Sequence, residues 1–228
     1  MPLILNIDTA TEKASICLSK GDEIIHTLYN EEQKDHAGWI QPAIQQLMKE
    51  ASYTLKDVKA VAVTEGPGSY TGLRIGLSTA KGLCFALQVP LITENTLRVM
   101  AMAAKEKWLL GSDESILLCP MIDARRMEVF TAVYDKQLKE IRTPNSLIID
   151  DFSFKKELNK NFILFFGGGS CKWKPLCSSP NALFRDDVIY LAPFLSKLAA
   201  ARFLQHQYTD LAYSEPAYLK EFYSYIKK

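Results

Sequence analysis

The strongest constraint on this chain is a pattern of short strands and helices that is used twice. Leu3 to Asp8, Ala14 to Leu18 and Glu23 to Tyr29 are three strand-type runs, with Gly21-Asp22 as a tight-turn signal between the last two. Asp35 then stands as a candidate N-cap, and Ile40, Ile44, Leu47 and Met48 recur at helical spacing. Ala60 to Thr64 reads as a buried strand, broken by Gly66-Pro67-Gly68-Ser69. Thr71 to Leu87 comes next as a helix, Leu91 to Thr93 as a strand and Thr96 to Trp108 as a helix. The second half repeats this more loosely. Ser115 to Ile122, Met127 to Tyr134 and a weaker Leu147 to Ile149 are strands, and Phe154 to Leu158 is a short helix. Phe162 to Phe166 is a strand ending in Gly167-Gly168-Gly169, and Leu195 to Leu204 is a helix. Lys172 to Asp187, with Pro175 and Pro180, reads as an irregular surface loop.

Strands mixed with helices in this order predict an α/β chain. A duplicated β-β-β-α-β-α unit is the pattern of the actin-like (ASKHA, ribonuclease-H-like) fold, two lobes with mixed sheets flanked by helices. That analogy carries architecture but no activity. Gly111-Ser112-Asp113 marks a break, so the expected division is residues 1–105 and 106–228.

Composition narrows the class. Lys plus Arg is 27 against 26 for Asp plus Glu, a formal charge of +1, which argues against a free-standing nucleic-acid binder. No apolar run approaches the length of a membrane span, and the first residues lack a basic leader. The five cysteines are odd in number, with no CxxC pair, as in a reduced cytoplasmic protein.

Four constellations could carry chemistry. His26, His36 and His206 share no helical turn and form no metal-ligand spacing. No GxSxG nucleophile elbow exists. The stretch Glu65-Gly66-Pro67-Gly68-Ser69-Tyr70-Thr71-Gly72-Leu73-Arg74 joins a strand to a helix N-terminus, where free N–H groups bind anions. It lacks the Lys-Ser/Thr pair of a Walker loop, and Glu65 would repel phosphate, so a structural turn capped by Ser69 or Thr71 is the favoured reading. Asp8 and Asp123 each end the first strand of a repeat. They read either as facing carboxylates across an interlobe cleft, where a nucleotide-using relative holds Mg²⁺, or as turn formers.

Helix 71–87 is the most telling element. Leu73, Leu77, Ala80, Cys84 and Leu87 form one stripe, and Ile75, Thr79, Gly82 and Ala86 a second. A helix on one sheet buries one face. Two weakly polar faces predict a subunit interface, or else a fully buried helix. Gly72, Gly76 and Gly82 each cost about 1 kcal/mol of helix propensity, a further sign of close packing.

These motifs together resemble the TsaB family, also called YeaZ. They are Asn6-Ile7-Asp8-Thr9-Ala10, then Gly66-Pro67-Gly68-Ser69-Tyr70-Thr71-Gly72-Leu73-Arg74-Ile75-Gly76, then Asp123-Ala124-Arg125-Arg126-Met127-Glu128, and finally Pro216-Ala217-Tyr218-Leu219-Lys220. The resemblance implies a non-catalytic scaffold of the machinery for tRNA threonylcarbamoyladenosine, the modified adenosine beside the anticodon. It implies docking on a catalytic TsaD subunit together with the ATPase TsaE, a homodimer in their absence, and tRNA contact only through the complex. The dimer surface it implies uses the first two helices, here Ile40, Ile44, Leu47, Met48, Leu73, Leu77, Ala80 and Cys84. Asp8, Gly66, Gly68, Ser69, Thr71, Gly72, Arg74, Asp123 and Arg125 become structural or vestigial nucleotide loops. No intrinsic cofactor or metal is expected, with nucleotide or Mg²⁺ confined to the partner interface. The histidine pair of the catalytic relatives has no counterpart in residues 94–102. The competing expectations are an active actin-like ATPase or sugar kinase, and a metal-dependent glycopeptidase.

Overall fold

A computed structural model describes residues 1–30, 35–108, 116–187, 189 and 191–220. The break at 111–113 lies outside them. The first repeat runs β1 (Leu3–Asp8), β2 (Ala14–Lys20), β3 (Glu23–Asn30), α1 (His36–Glu50), β4 (Ala60–Gly66), α2 (Tyr70–Leu87), β5 (Leu91–Asn95) and α3 (Thr96–Trp108). The second runs β6 (Ile116–Asp123), β7 (Glu128–Tyr134), β8 (Glu140–Ile148), α4 (Lys155–Leu158), β9 (Phe162–Phe166), α5 (Ser170–Trp173), β10 (Ala182–Arg185) and α6 (Ala192–Leu204). The sheet orders are β3-β2-β1-β4-β5 and β10-β9-β6-β7-β8. Taken from opposite ends they are one topology, the duplicated actin-like fold.

Alternation along the central strands builds the layers. Leu3, Leu5 and Ile7 of β1, with Val61 and Val63 of β4, face α1 and α2. Ile4, Ala60 and Ala62 face the other way, into a core shared with α3, α6 and the second sheet through Leu118, Ala132 and Phe166. The outer face of the second sheet is closed by Phe154, Leu158 and Trp173. The molecule is therefore five layers deep, with α3 and α6 sandwiched between the sheets.

Three expectations are corrected. Residues 172–187 contain α5's end, a 3₁₀ turn at Lys174–Leu176 and β10, which pairs in parallel with β9. The third strand of the second repeat spans Glu140–Ile148, well beyond 147–149. Both are edge strands, short or largely exposed, so they carry little apolar alternation, and an edge tolerates Pro144. The third concerns the division at 105/106. It assigns everything after it to the second lobe, yet α6 packs across the first sheet and Thr209 bridges to Leu91. Among the described residues, no helix is long and apolar enough to cross a membrane.

Candidate functional site

The glycine-rich loop after β4 is filled by its own chain. Ser69 caps α2, its hydroxyl accepting from Gly72 N–H at 3.3 Å, and Ser69 N–H donates to the Ala10 carbonyl at 2.7 Å. Thr9 Oγ1 donates to the Gly72 carbonyl at 2.7 Å. A Cβ on Gly68 would stand 2.2 Å from the Ala10 carbonyl oxygen, and one on Gly72 2.1 Å from that of Thr9. The glycines let the β1–β2 turn lie directly on the start of α2, which is the structural-turn reading. Thr71 and Arg74 stay exposed on the first turn of α2.

Behind this turn Asp8 is fully buried. Its Oδ1 accepts from Thr64 Oγ1 at 2.8 Å and from Ala10 N–H at 3.3 Å, while Oδ2 has no partner among the described residues. Burial outweighs these two bonds and pushes the carboxyl up to about 6. Asp123 differs. It is exposed, its carboxylate pairs with the Lys172 ammonium, and it also accepts from Arg125 N–H. Arg125 turns the chain there with φ +70°.

The two aspartates do not face each other. Alternation places Asp8 on the Ile4 face of β1, toward the central layer, and Asp123 on the Cys119 and Met121 face of β6, toward the outer layer. A Mg²⁺–nucleotide site needs carboxylates that converge and are open to water. One here is sealed and the other is taken by a lysine, so this donor set does not fit that group. Among the described residues no three His, Cys, Asp or Glu side chains cluster as metal ligands.

The interface prediction is corrected in its residues. Ile40, Ile44, Leu47, Met48, Leu73, Leu77, Ala80 and Cys84 are all at most 5% exposed within this single chain. All but Leu73 belong to the core between α1, α2 and the first sheet. The larger side chains turned inward because burying a Leu stabilises by about 2 kcal/mol, more than burying a Thr or Gly. The outward surface is the second stripe. Gly82 and Ala86 are exposed, Ile75 and Thr79 are half-buried, and Phe85 is 72% exposed. Beside it Ala37, Gln41, Thr71, Ile75, Ser78 and Thr79 line a shallow hollow between α1 and α2. Helical spacing alone could have found Phe85, which sits three residues after Gly82 on that stripe's edge.

Two residues without an expected role acquire one. His36 is buried; its Nδ1 accepts from Asn30 Nδ2 at 3.2 Å and its Nε2 donates to the Thr11 carbonyl at 3.1 Å. It ties the start of α1 to the β1–β2 turn. Glu94, inside the stretch that lacks the histidine pair, is buried and accepts from Arg202 of α6 at 2.9 and 3.3 Å, with Arg98 at 3.5 Å. That clamp holds α6 against β5.

Known proteins agree with this architecture. Residues 25–153 match the family model described as TsaD: tRNA N6-adenosine threonylcarbamoyltransferase. The tRNA threonylcarbamoyladenosine biosynthesis protein TsaB of Escherichia coli strain K12 is 29% identical over 224 residues, 95% of this chain and 94% of that protein. The protein of the same description from Bacillus subtilis strain 168 is 32% identical over 168 residues, 72% and 70% of the two chains. A crystal structure of a Pseudomonas aeruginosa protein with similarity to the peptidase YEAZ superposes with TM-score 0.84 at 25% identity, covering 96% of this chain and all of that one.

Proposed function

The chain belongs to the TsaB family, and from that premise we propose that it acts in tRNA threonylcarbamoyladenosine biosynthesis as a subunit that performs no chemistry of its own. Its work is to dock on a TsaD-type catalytic subunit, with a TsaE-type ATPase joining the assembly. Without those partners the same face pairs two copies of this chain. No intrinsic cofactor takes part, and nucleotide or Mg²⁺ is confined to the partner interface.

The observation that carries this reading is the outward face of α1 and α2. Phe85 stands out at 72% exposure, flanked by Gly82 and Ala86, whose lack of bulk lets another helix approach. An exposed aromatic beside a groove of small residues is an anchor geometry. The cleft adds support from the other side, because the Lys172 ammonium occupies Asp123 and the Thr9–Ala10 turn fills the glycine loop. An ATPase or kinase reading needs both to be open.

Phe85→Asp tests the proposal. The purified chain mixed with its TsaD-type partner should co-elute on size exclusion. The variant should keep its melting profile and lose association by about 30-fold, the effect of removing one anchor of about 2 kcal/mol. Undiminished co-elution of the variant overturns the docking face.

A further inference from the structure

We propose that the C-terminal tail, residues 207–220, is an intramolecular clasp that closes the mouth of the interlobe cleft, the place a ligand takes when other two-lobed folds close. The tail leaves α6 and returns along the first lobe. Thr209 N–H donates to the Leu91 carbonyl at 2.8 Å, and its hydroxyl accepts from Thr93 N–H at 3.1 Å. Lys81, the one lysine of α2, donates to the carbonyls of Ala212 at 3.2 Å and Ser214 at 2.9 Å. Ala217 N–H then donates to the Glu65 carbonyl at 2.7 Å, so the tail is bonded to the end of β4 itself. Its carbonyl oxygen lies 2.6 Å from where a Cβ would stand on Gly66, whose φ of +127° already favours glycine.

Tyr218 then braces the tail on the first turn of α2, and Lys220 reaches across to the second lobe. The Tyr218 ring rests on Tyr70, centroids 5.4 Å apart, and its hydroxyl accepts from Arg74 Nε at 3.0 Å. The Arg74 guanidinium lies 3.9 Å above the Tyr70 ring, a cation–π contact. Lys220 pairs with Glu128 at the start of β7, on the second sheet. Lys220 and Ser146 together hold the Glu128 carboxyl below its usual range. The tail thus runs from the first sheet, past the glycine loop, onto the second. Ala217, Tyr218 and Lys220 wall a hollow of about 260 Å³ whose other sides are Pro67 and Gly68 of one lobe and Arg125 of the other. Tyr70 lines both this hollow and the one between α1 and α2. The clasp therefore links closure of the cleft to the first turn of α2.

Hydrogen–deuterium exchange on the full chain tests this without any partner. Lys220→Glu sets like charges against each other across the cleft. It should speed exchange in segments 66–74 and 123–129 by about tenfold. The charge swap Lys220→Glu with Glu128→Lys should restore the original rates. Tyr218→Ala should speed exchange of 66–74 and of Ala217 while the thermal midpoint stays within a few degrees. Unchanged exchange in Lys220→Glu and Tyr218→Ala overturns the clasp. So does an increase in Lys220→Glu that the swap leaves in place.

Discussion

The two lobes share one topology and even one device, a glycine loop after the strand parallel to the first. Gly66-Pro67-Gly68 begins at the last residue of β4, and Gly167-Gly168-Gly169 succeeds β9. Each folds back on its lobe's first strand or turn: Ser69 N–H donates to the Ala10 carbonyl at 2.7 Å, and Gly169 N–H to that of Met121 at 3.0 Å. The helix after the loop differs between the lobes. In the first lobe it is α2, 18 residues long; in the second it is α5, with four. In the first lobe Asp8 is turned into the central layer, bonded to Thr64 of β4 and to the Ala10 N–H of its own turn, and is closed off from water. In the second Asp123 stays open, and Lys172 from α5 itself neutralises it. Equal topology does not make equal sites. What packs around a strand end decides whether its carboxylate is a buried acid or half of a surface ion pair.

The largest expected effect separates the two faces of α2. Leu77→Asp places a charge in the first-lobe core and should cost more than about 4 kcal/mol, abolishing the cooperative melt. A wild-type melt for this variant would mean that the buried stripe had been assigned to the wrong face.

Next come the glycine loops. Gly72→Ala pushes a methyl group against the Thr9 backbone and should cost about 2–3 kcal/mol in urea unfolding. Gly168→Ala has nothing within 4 Å and should stay within about 0.5 kcal/mol. Equal losses would break the contrast between a glycine packed against backbone and one facing open space.

The smallest effect compares the aspartates by pH. The Asp8 carboxyl sits at about 6 in the folded protein and at 3.8 as its ordinary value. Between those values the folded state holds a proton that the unfolded state has released, so stability falls as pH rises. This contribution is full below about 3.8 and lost through about 6. Its decline from pH 4.5 to 7.5 is about 2 kcal/mol. Asp8→Asn should remove that slope from urea midpoints measured at the two pH values. Asp123→Asn, on an exposed pair, should keep the slope and shift stability by less than about 1 kcal/mol. Parallel profiles for wild type and Asp8→Asn would place Asp8 in contact with water.

Much of the first lobe was legible because its signals are local and strong. Asp35 was readable as a cap, and its carboxylate does accept from Gly38 N–H at 2.8 Å. Ser69 was readable in the same way. β10 was not, since four residues on a sheet edge leave no periodic trace. His36 gave no signal at all, because its partners, Asn30 and the Thr11 carbonyl, come together only when α1 packs beside the β1–β2 turn.

By itself the sequence determined the order of elements in the first lobe, the looser repeat in the second, the family motifs and the presence of two weakly polar stripes on α2. Those arise from periodicities of two and 3.6 residues and from turn chemistry, which neighbours along the chain decide. Only the tertiary structure decided which stripe turned inward, which way each aspartate points and where the tail runs. Lys172 meets Asp123 across 49 residues and Lys220 meets Glu128 across 92. No local pattern encodes such pairs. They exist because packing brings α5 beside the end of β6 and lays residues 207–220 from the first sheet onto the second.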